Sequence, residues 1–179
     1  MTAIVGLVDN GTVYIGGDSA GASGWSLTVR ADAKVFFNAG YLFGFTTSYR
    51  MGQLIRYALQ PPEPARDLER FMATTFIDAI RACLKEGGWA KKDNDREEGG
   101  TFLVGVRGRL FAIYSDYQVA EEALDYMAVG SGEDIALGAL YATADLGLSP
   151  RARMRIALKA AARFKTGVHE PFVYASTPE

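Results

Sequence analysis

Residues 2–18 read TAIVGLVDNGTVYIGGD, and this stretch decides the fold. Thr2–Val8 and Thr12–Asp18 are short runs rich in β-branched residues, and Asn10-Gly11 between them is a strong signal for a two-residue hairpin turn. Such a turn sets the register. With Asn10 and Gly11 at the tip, Asp9 lies opposite Thr12, Ala3 opposite Asp18 and Thr2 opposite Ser19. Asp18 is therefore expected one pair away from Thr2, at the same end of the sheet. The first strand is apolar on both faces, through Ala3, Ile4, Val5, Leu7 and Val8, which implies a sheet covered on both sides.

Outward from the hairpin, further strands are expected at Ser26–Arg30, Lys34–Phe37 and Tyr41–Thr46, followed by a helix near Arg50–Leu59. The breaker Pro61-Pro62-Glu63-Pro64 separates it from a long amphipathic helix, Asp67–Lys85. In that helix Leu68, Phe71, Met72, Phe76, Ala79, Ile80, Cys83 and Leu84 share one face. Glu86–Gly100 (EGGWAKKDNDREEGG) is polar and flanked by glycine, and reads as an exposed loop. Strands return at Thr101–Val106, Arg109–Ser115 and Tyr126–Val129, and helices at Glu133–Leu146 and Pro150–Phe164. Ser149 is the N-cap of the second of these, with Pro150 in its first turn. Phe172–Ala175 is a closing strand. This order predicts an α+β chain rather than a parallel sheet. A sheet buried on both faces then implies a four-layer helix–sheet–sheet–helix sandwich of two antiparallel sheets, formed by residues 1–179 as a single domain.

Composition removes several function classes. Hydrophobic residues make up 49% of the 179, enough for a full core, and the formal charge of −2 offers no basic surplus for a phosphate backbone. Nucleic acid is not an expected partner. One cysteine cannot close an internal disulfide, and one cysteine with one histidine cannot build a common zinc site. The sequence has neither an apolar run of the ~18 residues that span a bilayer nor a signal-peptide pattern. A cytoplasmic protein without a membrane partner is the expectation.

The usual catalytic signatures are missing as well. Gly16-Gly17-Asp18 ends a strand but opens no phosphate-binding loop. His169 lies in a loop with no nucleophile-elbow motif elsewhere to serve, and Cys83 sits on the apolar face of its helix without a cation to activate it. What remains is the N-terminus. An initiator methionine before a small residue is normally removed, and loss of Met1 would leave Thr2 with a hydroxyl and a free α-amine on one residue. That amine has an ordinary pKa of ~7.7–8.0, so its neutral form can take the hydroxyl proton without a histidine. Such a nucleophile needs a cation beside it and a carboxylate to hold the cation, and the hairpin register brings Asp18 within reach.

Together these residues resemble the proteasome β-type N-terminal nucleophile hydrolases, which include the bacterial two-ring peptidase that works with an ATP-dependent unfoldase. The resemblance covers most of the chain. It matches the nucleophilic threonine to Thr2, the acidic residue after the second strand to Asp18, and the catalytic lysine to Lys34 within Asp32-Ala33-Lys34-Val35-Phe36. The oxyanion-hole glycine matches Gly44 within Phe43-Gly44-Phe45, and the supporting serine matches Ser131 within Val129-Gly130-Ser131-Gly132. Two positions depart from the family pattern. Thr166 stands where an aspartate usually supports the nucleophile, and Phe45-Thr46-Thr47-Ser48 is bulkier than usual, implying a narrower substrate groove.

The resemblance implies a threonine endopeptidase that needs no metal or organic cofactor. It implies assembly with itself into stacked rings, an ATP-dependent unfoldase as a further partner, and unfolded peptides as substrates. With only Met1 ahead of Thr2, activation is expected to need a methionine aminopeptidase alone. Leu42, Phe43 and Phe45 flank the expected oxyanion segment and Gly21 leaves room beside it, which predicts an apolar residue before the cleaved bond. Two other readings use the same fold: an N-terminal nucleophile amidase acting on small molecules, and a catalytically degenerate assembly subunit.

Overall fold

The structure is a computed structural model and describes residues 2–23, 26–93 and 96–178. Met1, whose removal the sequence reading requires, lies outside the described residues, as do Asn94 and Asp95 of the expected polar loop.

The opening hairpin forms as its turn chemistry demands. Strand β1 (Ile4–Asp9) pairs antiparallel with β2 (Thr12–Gly17), from Ile4 opposite Gly17 to Asp9 opposite Thr12. Asn10 and Gly11 both have positive φ, 49° and 77°, the turn geometry that matches the twist of the flanking strands. A ribbon of β3 (Ala20–Ser23) and β4 (Ser26–Val29) follows, then β5 (Val35–Asn38) and β6 (Tyr41–Phe45), joined by a similar positive-φ pair, Ala39-Gly40.

Helix α1 (Tyr49–Tyr57) is capped by Ser48, whose side chain accepts from the Arg50 amide. The expected long helix is present but not uniform: α2 (Leu68–Phe71) runs through a π-helical turn, Met72–Phe76, into α3 (Ile77–Glu86). Its buried residues explain the turn. Leu68, Met72, Phe76, Ile80 and Leu84 recur every fourth residue, and at 3.6 residues per turn each such step drifts ~40° around an α-helix. One wider turn brings the stripe back over the sheet.

The expected loop Glu86–Gly100 is corrected by the structure. It contains a two-stranded ribbon, β7 (Lys91–Asp93) with β8 (Arg96–Glu98). Arg81 of α3 donates from Nε and Nη2 to Glu97 at 3.0 and 2.8 Å, which ties the ribbon to the helix. Strands β9 (Phe102–Val106), β10 (Arg109–Ile113), β11 (Val119–Ala120) and β12 (Tyr126–Val129) come next. Helix α4 (Glu133–Ala142) stops short of the expected Leu146, where Thr143 turns its hydroxyl back to the carbonyls of Ala139 and Leu140. Helix α5 (Pro150–Phe164) starts on its Ser149 cap, and β13 (Val173–Ser176) ends the fold.

Among the described residues β12, β1, β2 and β13 form one antiparallel sheet in that order, and β11, β10, β9, β6 and β5 form another. Ile4, Val13 and Ile15 of the first sheet meet Val35, Leu42 and Leu103 of the second in an apolar layer between them. Helices α4 and α5 cover the outer face of the first sheet through Ala136, Leu140, Met154 and Leu158. The outer face of the second is covered by α1 to α3, through Met51, Ile55, Phe76 and Ile80. This is the four-layer α+β sandwich expected from the sequence. Its consequence for function is that the start of β1, the end of β2 and the residues before β5 converge at one edge of the inter-sheet layer.

Candidate active site

The convergence is set first by the hairpin. The Asp18 amide bonds the Ala3 carbonyl at 3.3 Å, which extends the β1–β2 ladder by one pair and places Asp18 beside Thr2. Asp18 is 1% exposed and its carboxylate is held by main-chain donors: Ala3 N–H at 3.0 Å on Oδ1, with Ala20 N–H at 2.9 Å and His169 N–H at 3.4 Å on Oδ2. A fixed, buried carboxylate is an anchor for a cation. Lys34, just before β5 and 2% exposed, supplies it. Its Nζ donates to Asp18 Oδ1 at 2.9 Å and to Thr2 Oγ1 at 2.9 Å. Burial pushes the pKa of Lys34 down, opposed by the charge and hydrogen bond of Asp18.

The fourth member arrives from β12. Thr2 N–H donates to Ser131 Oγ at 3.1 Å, and Ser131 Oγ lies 3.3 Å from the Thr2 carbonyl oxygen, to which it donates. The glycines around Ser131 make this approach possible. Gly130 has φ +101°, and a Cβ there would stand 2.5 Å from the Thr2 carbonyl oxygen. The Gly132 amide bonds that same oxygen at 3.2 Å.

Thus Thr2, Asp18, Lys34 and Ser131 come together, and Gly44 does not join them in the same way. Gly44 lies in β6 within the inter-sheet layer, where a Cβ would meet Ile4 Cγ2 and Ile15 Cγ2 at 2.6 Å each. A cleft of about 250 Å³ opens beside Thr2, walled by the residues that follow Gly44, Phe45 to Ser48, together with Arg30, Lys34 and Tyr49. In this wall the amides of Phe45, Thr46 and Ser48 are committed to the carbonyls of Lys34, Thr101 and Thr46. The Thr47 amide has no partner among the described residues, and Thr47 takes a left-handed φ of 60°. Its side chain helps to hold that conformation, with Thr47 Oγ1 accepting from the Thr101 amide at 3.1 Å.

Two readings of the sequence change here. Leu42 and Phe43, expected to flank the substrate, are wholly buried in different core layers, and of that group Phe45 and Gly21 reach the cleft. Thr166 is exposed, so the late segment acts on the site through the His169 amide rather than through a side chain at that position. Arg30 and Tyr49 were missed. The signal available for Tyr49 was its place immediately after the Ser48 helix cap, facing back toward the strand ends. Among the described residues no cluster of three or more His, Cys, Asp or Glu side chains is placed to hold a metal ion. No helix among them is long and apolar enough to cross a membrane.

The fold has solved counterparts. BPH of Thiobacillus denitrificans, in complex with epoxomicin, superposes with a TM-score of 0.80 at 21% identity, over 98% of this chain and 97% of that one. Eukaryotic HslV from Trypanosoma brucei gives 0.71 at 20% identity, over 98% of each chain. Anbu (ancestral beta-subunit) from Yersinia bercovieri gives 0.69 at 16% identity, over 99% of this chain and 82% of that one. The sequence matches no protein-family model and no curated protein. The chain therefore has the HslV-like, proteasome-type sandwich fold that its opening residues resemble.

Proposed function

We propose that this chain is a threonine peptidase of the N-terminal nucleophile type, active once Met1 is removed. The observation that carries the reading is the buried Lys34 ammonium, which donates to the Thr2 hydroxyl and to Asp18 at 2.9 Å each. A cation at hydrogen-bond distance lowers the hydroxyl pKa. At that 2.9 Å and an effective dielectric of 20 a unit charge is worth ~6 kcal/mol, an upper figure for a site open to a cleft.

In the first step Thr2 Oγ1 attacks the peptide carbonyl carbon, and its proton passes to the Thr2 α-amine. The tetrahedral oxyanion takes a main-chain donor. Gly44, which the resemblance points to, does not line the cleft, and of the Phe45 to Ser48 amides that follow it the Thr47 amide is the one without a partner among the described residues. The α-amine then protonates the leaving amine as the C–N bond breaks, leaving an ester on Thr2. Water attacks the ester, giving its proton to the α-amine, and the acid leaves as Thr2 Oγ1 is reprotonated. Asp18 holds Lys34, and Ser131 orients the amine. None of these steps draws on a metal or organic cofactor.

The same reading makes the chain a subunit of stacked rings in the cytoplasm that admit unfolded peptides, with an ATP-dependent unfoldase as partner. Exposed Tyr57 on α1 and Tyr141 on α4 are apolar surface available for such contacts. The deciding experiment combines intact mass, light scattering and hydrolysis of fluorogenic peptides on one sample. Expected are loss of Met1, a mass of twelve or fourteen subunits, as the resemblance implies, and turnover. Full activity with Met1 retained would overturn the nucleophile assignment, and an active monomer would favour the small-molecule amidase.

A further inference from the structure

The cleft beside Thr2 has a wall built around a guanidinium. Arg30 lies 3.8 Å from the Tyr49 ring centroid, over its face, and donates from Nε and Nη2 to the two oxygens of Asp32 at 2.7 and 2.6 Å. Its stem needs the missing side chain of Gly21, where a Cβ would stand 2.9 Å from Arg30 Cδ. Tyr49 is itself fixed, edge-on to Phe45 at 5.5 Å, with its hydroxyl 3.4 Å from the Ala20 carbonyl. Burial raises the Tyr49 pKa to about 12, so the ring stays a neutral platform for the cation.

One edge and one face of the guanidinium are thus occupied, while Nη1 has no partner among the described residues. Arg30 lines the Thr2 cleft, whereas its partner Asp32 lines the adjoining groove with Arg56. Arg56 adds to the positive field on Asp32, so that one carboxylate faces two guanidinium groups. Lys34 and Asp18 balance each other in the same cleft. Over the cleft and the adjoining groove together, with Arg56 counted, the charge left over is positive.

We propose that the site selects peptides with an acidic residue immediately before the cleaved bond, the carboxylate being taken by Arg30 Nη1. This rests on the threonine-peptidase reading and replaces the apolar preference expected from Leu42, Phe43, Phe45 and Gly21. An Arg30 held by Asp32 and Tyr49 has lost its rotamer freedom before substrate arrives, which favours a directed hydrogen bond. An apolar side chain there would desolvate Nη1 without replacing its hydrogen bonds.

The test uses Met1-free protein and three fluorogenic peptides that differ only in Glu, Gln or Leu before the cleaved bond. The expected order of kcat/KM is Glu, Gln, Leu, with Glu above Leu by at least ~10-fold. Arg30→Met should reverse the order of Glu and Leu, and Arg30→Lys, which keeps the charge but not the fork, should fall between. A Leu preference in the parent, or a Glu-to-Leu ratio unchanged in Arg30→Met, overturns the proposal. Calorimetric binding of the two product acids, acetylated tripeptides ending in Glu or Leu, reads the same wall without turnover. Tighter binding of the Glu acid that is lost in Arg30→Met supports the selective wall even if no peptide is cut, in which case the peptidase reading fails alone. Equal binding of the two acids refutes the wall.

Discussion

Replacing Lys34 by methionine keeps most of the side-chain volume and removes the charge, so the effect can be worked out from the contacts. At the observed 2.9 Å the Lys34–Asp18 attraction is ~6 kcal/mol for an effective dielectric near 20, set against several kcal/mol for taking each ion out of water. The pair therefore adds little net stability, but breaking it leaves Asp18 buried and uncompensated. Such a loss costs ~3–5 kcal/mol. The double variant Lys34→Met with Asp18→Asn removes the stranded charge. The carboxamide oxygen introduced by Asp18→Asn can serve the Ala20 and His169 amides, but the NH2 of that group then faces the Ala3 N–H. The Ala3 N–H and the NH2 are both donors left without an acceptor, and at ~1 kcal/mol each, the low end of the usual ~1–3 kcal/mol, the double variant should be more stable than Lys34→Met by ~2 kcal/mol. Both should lose peptide hydrolysis by ~10²-fold or more, the size of an electrostatic or proton-transfer contribution. Urea unfolding at pH 7 and peptide turnover on Met1-free protein give the two readouts. A double variant less stable than Lys34→Met would refute the stranded-charge argument, and undiminished turnover in Lys34→Met would refute the placement of the cation.

The pH profile of kcat/KM should rise through the α-amine range of ~7.7–8.0, as the Thr2 amine becomes neutral. It should fall again below the ordinary lysine value of 10.5, because burial lowers the Lys34 pKa and the required cation is lost as pH rises through it. A rate still level at pH 10.5 would contradict this, and Lys34→Arg should abolish the alkaline fall in whatever activity it keeps. Gly44→Ala should lower the urea midpoint by the equivalent of ~1–3 kcal/mol, since its Cβ would crowd Ile4 and Ile15 at 2.6 Å. An unchanged midpoint would show that the sheets separate more easily than this packing implies. Gly130→Ala, strained by its φ of +101° and by the Thr2 carbonyl, should reduce turnover by at least ~10-fold through Ser131 and Thr2. Wild-type kinetics in that variant would remove the supporting role of the Gly130-Ser131-Gly132 turn.

Some of this was determined by the sequence alone. Asn10-Gly11 selects a two-residue turn through positive φ at both positions, and side chains alternate with a period of two, so local chemistry placed Asp18 beside Thr2 without tertiary information. The caps Ser48 and Ser149 act within one helical turn and mark helix starts for the same reason. What only the tertiary structure decided depends on elements far apart in the chain. Lys34 meets Thr2 because two sheets pack face to face, and that packing pulls Gly44 into the layer between them and leaves the Thr47 amide on the cleft wall. The polar run Glu86–Gly100 carries no apolar alternation to announce a strand, and part of its ribbon is fixed by Arg81 of a preceding helix. Arg30, Asp32 and Tyr49 read singly as surface residues. Their meeting, with Arg30 lining the cleft, joins the residue after β4, a residue before β5 and the start of α1, a combination no local pattern encodes.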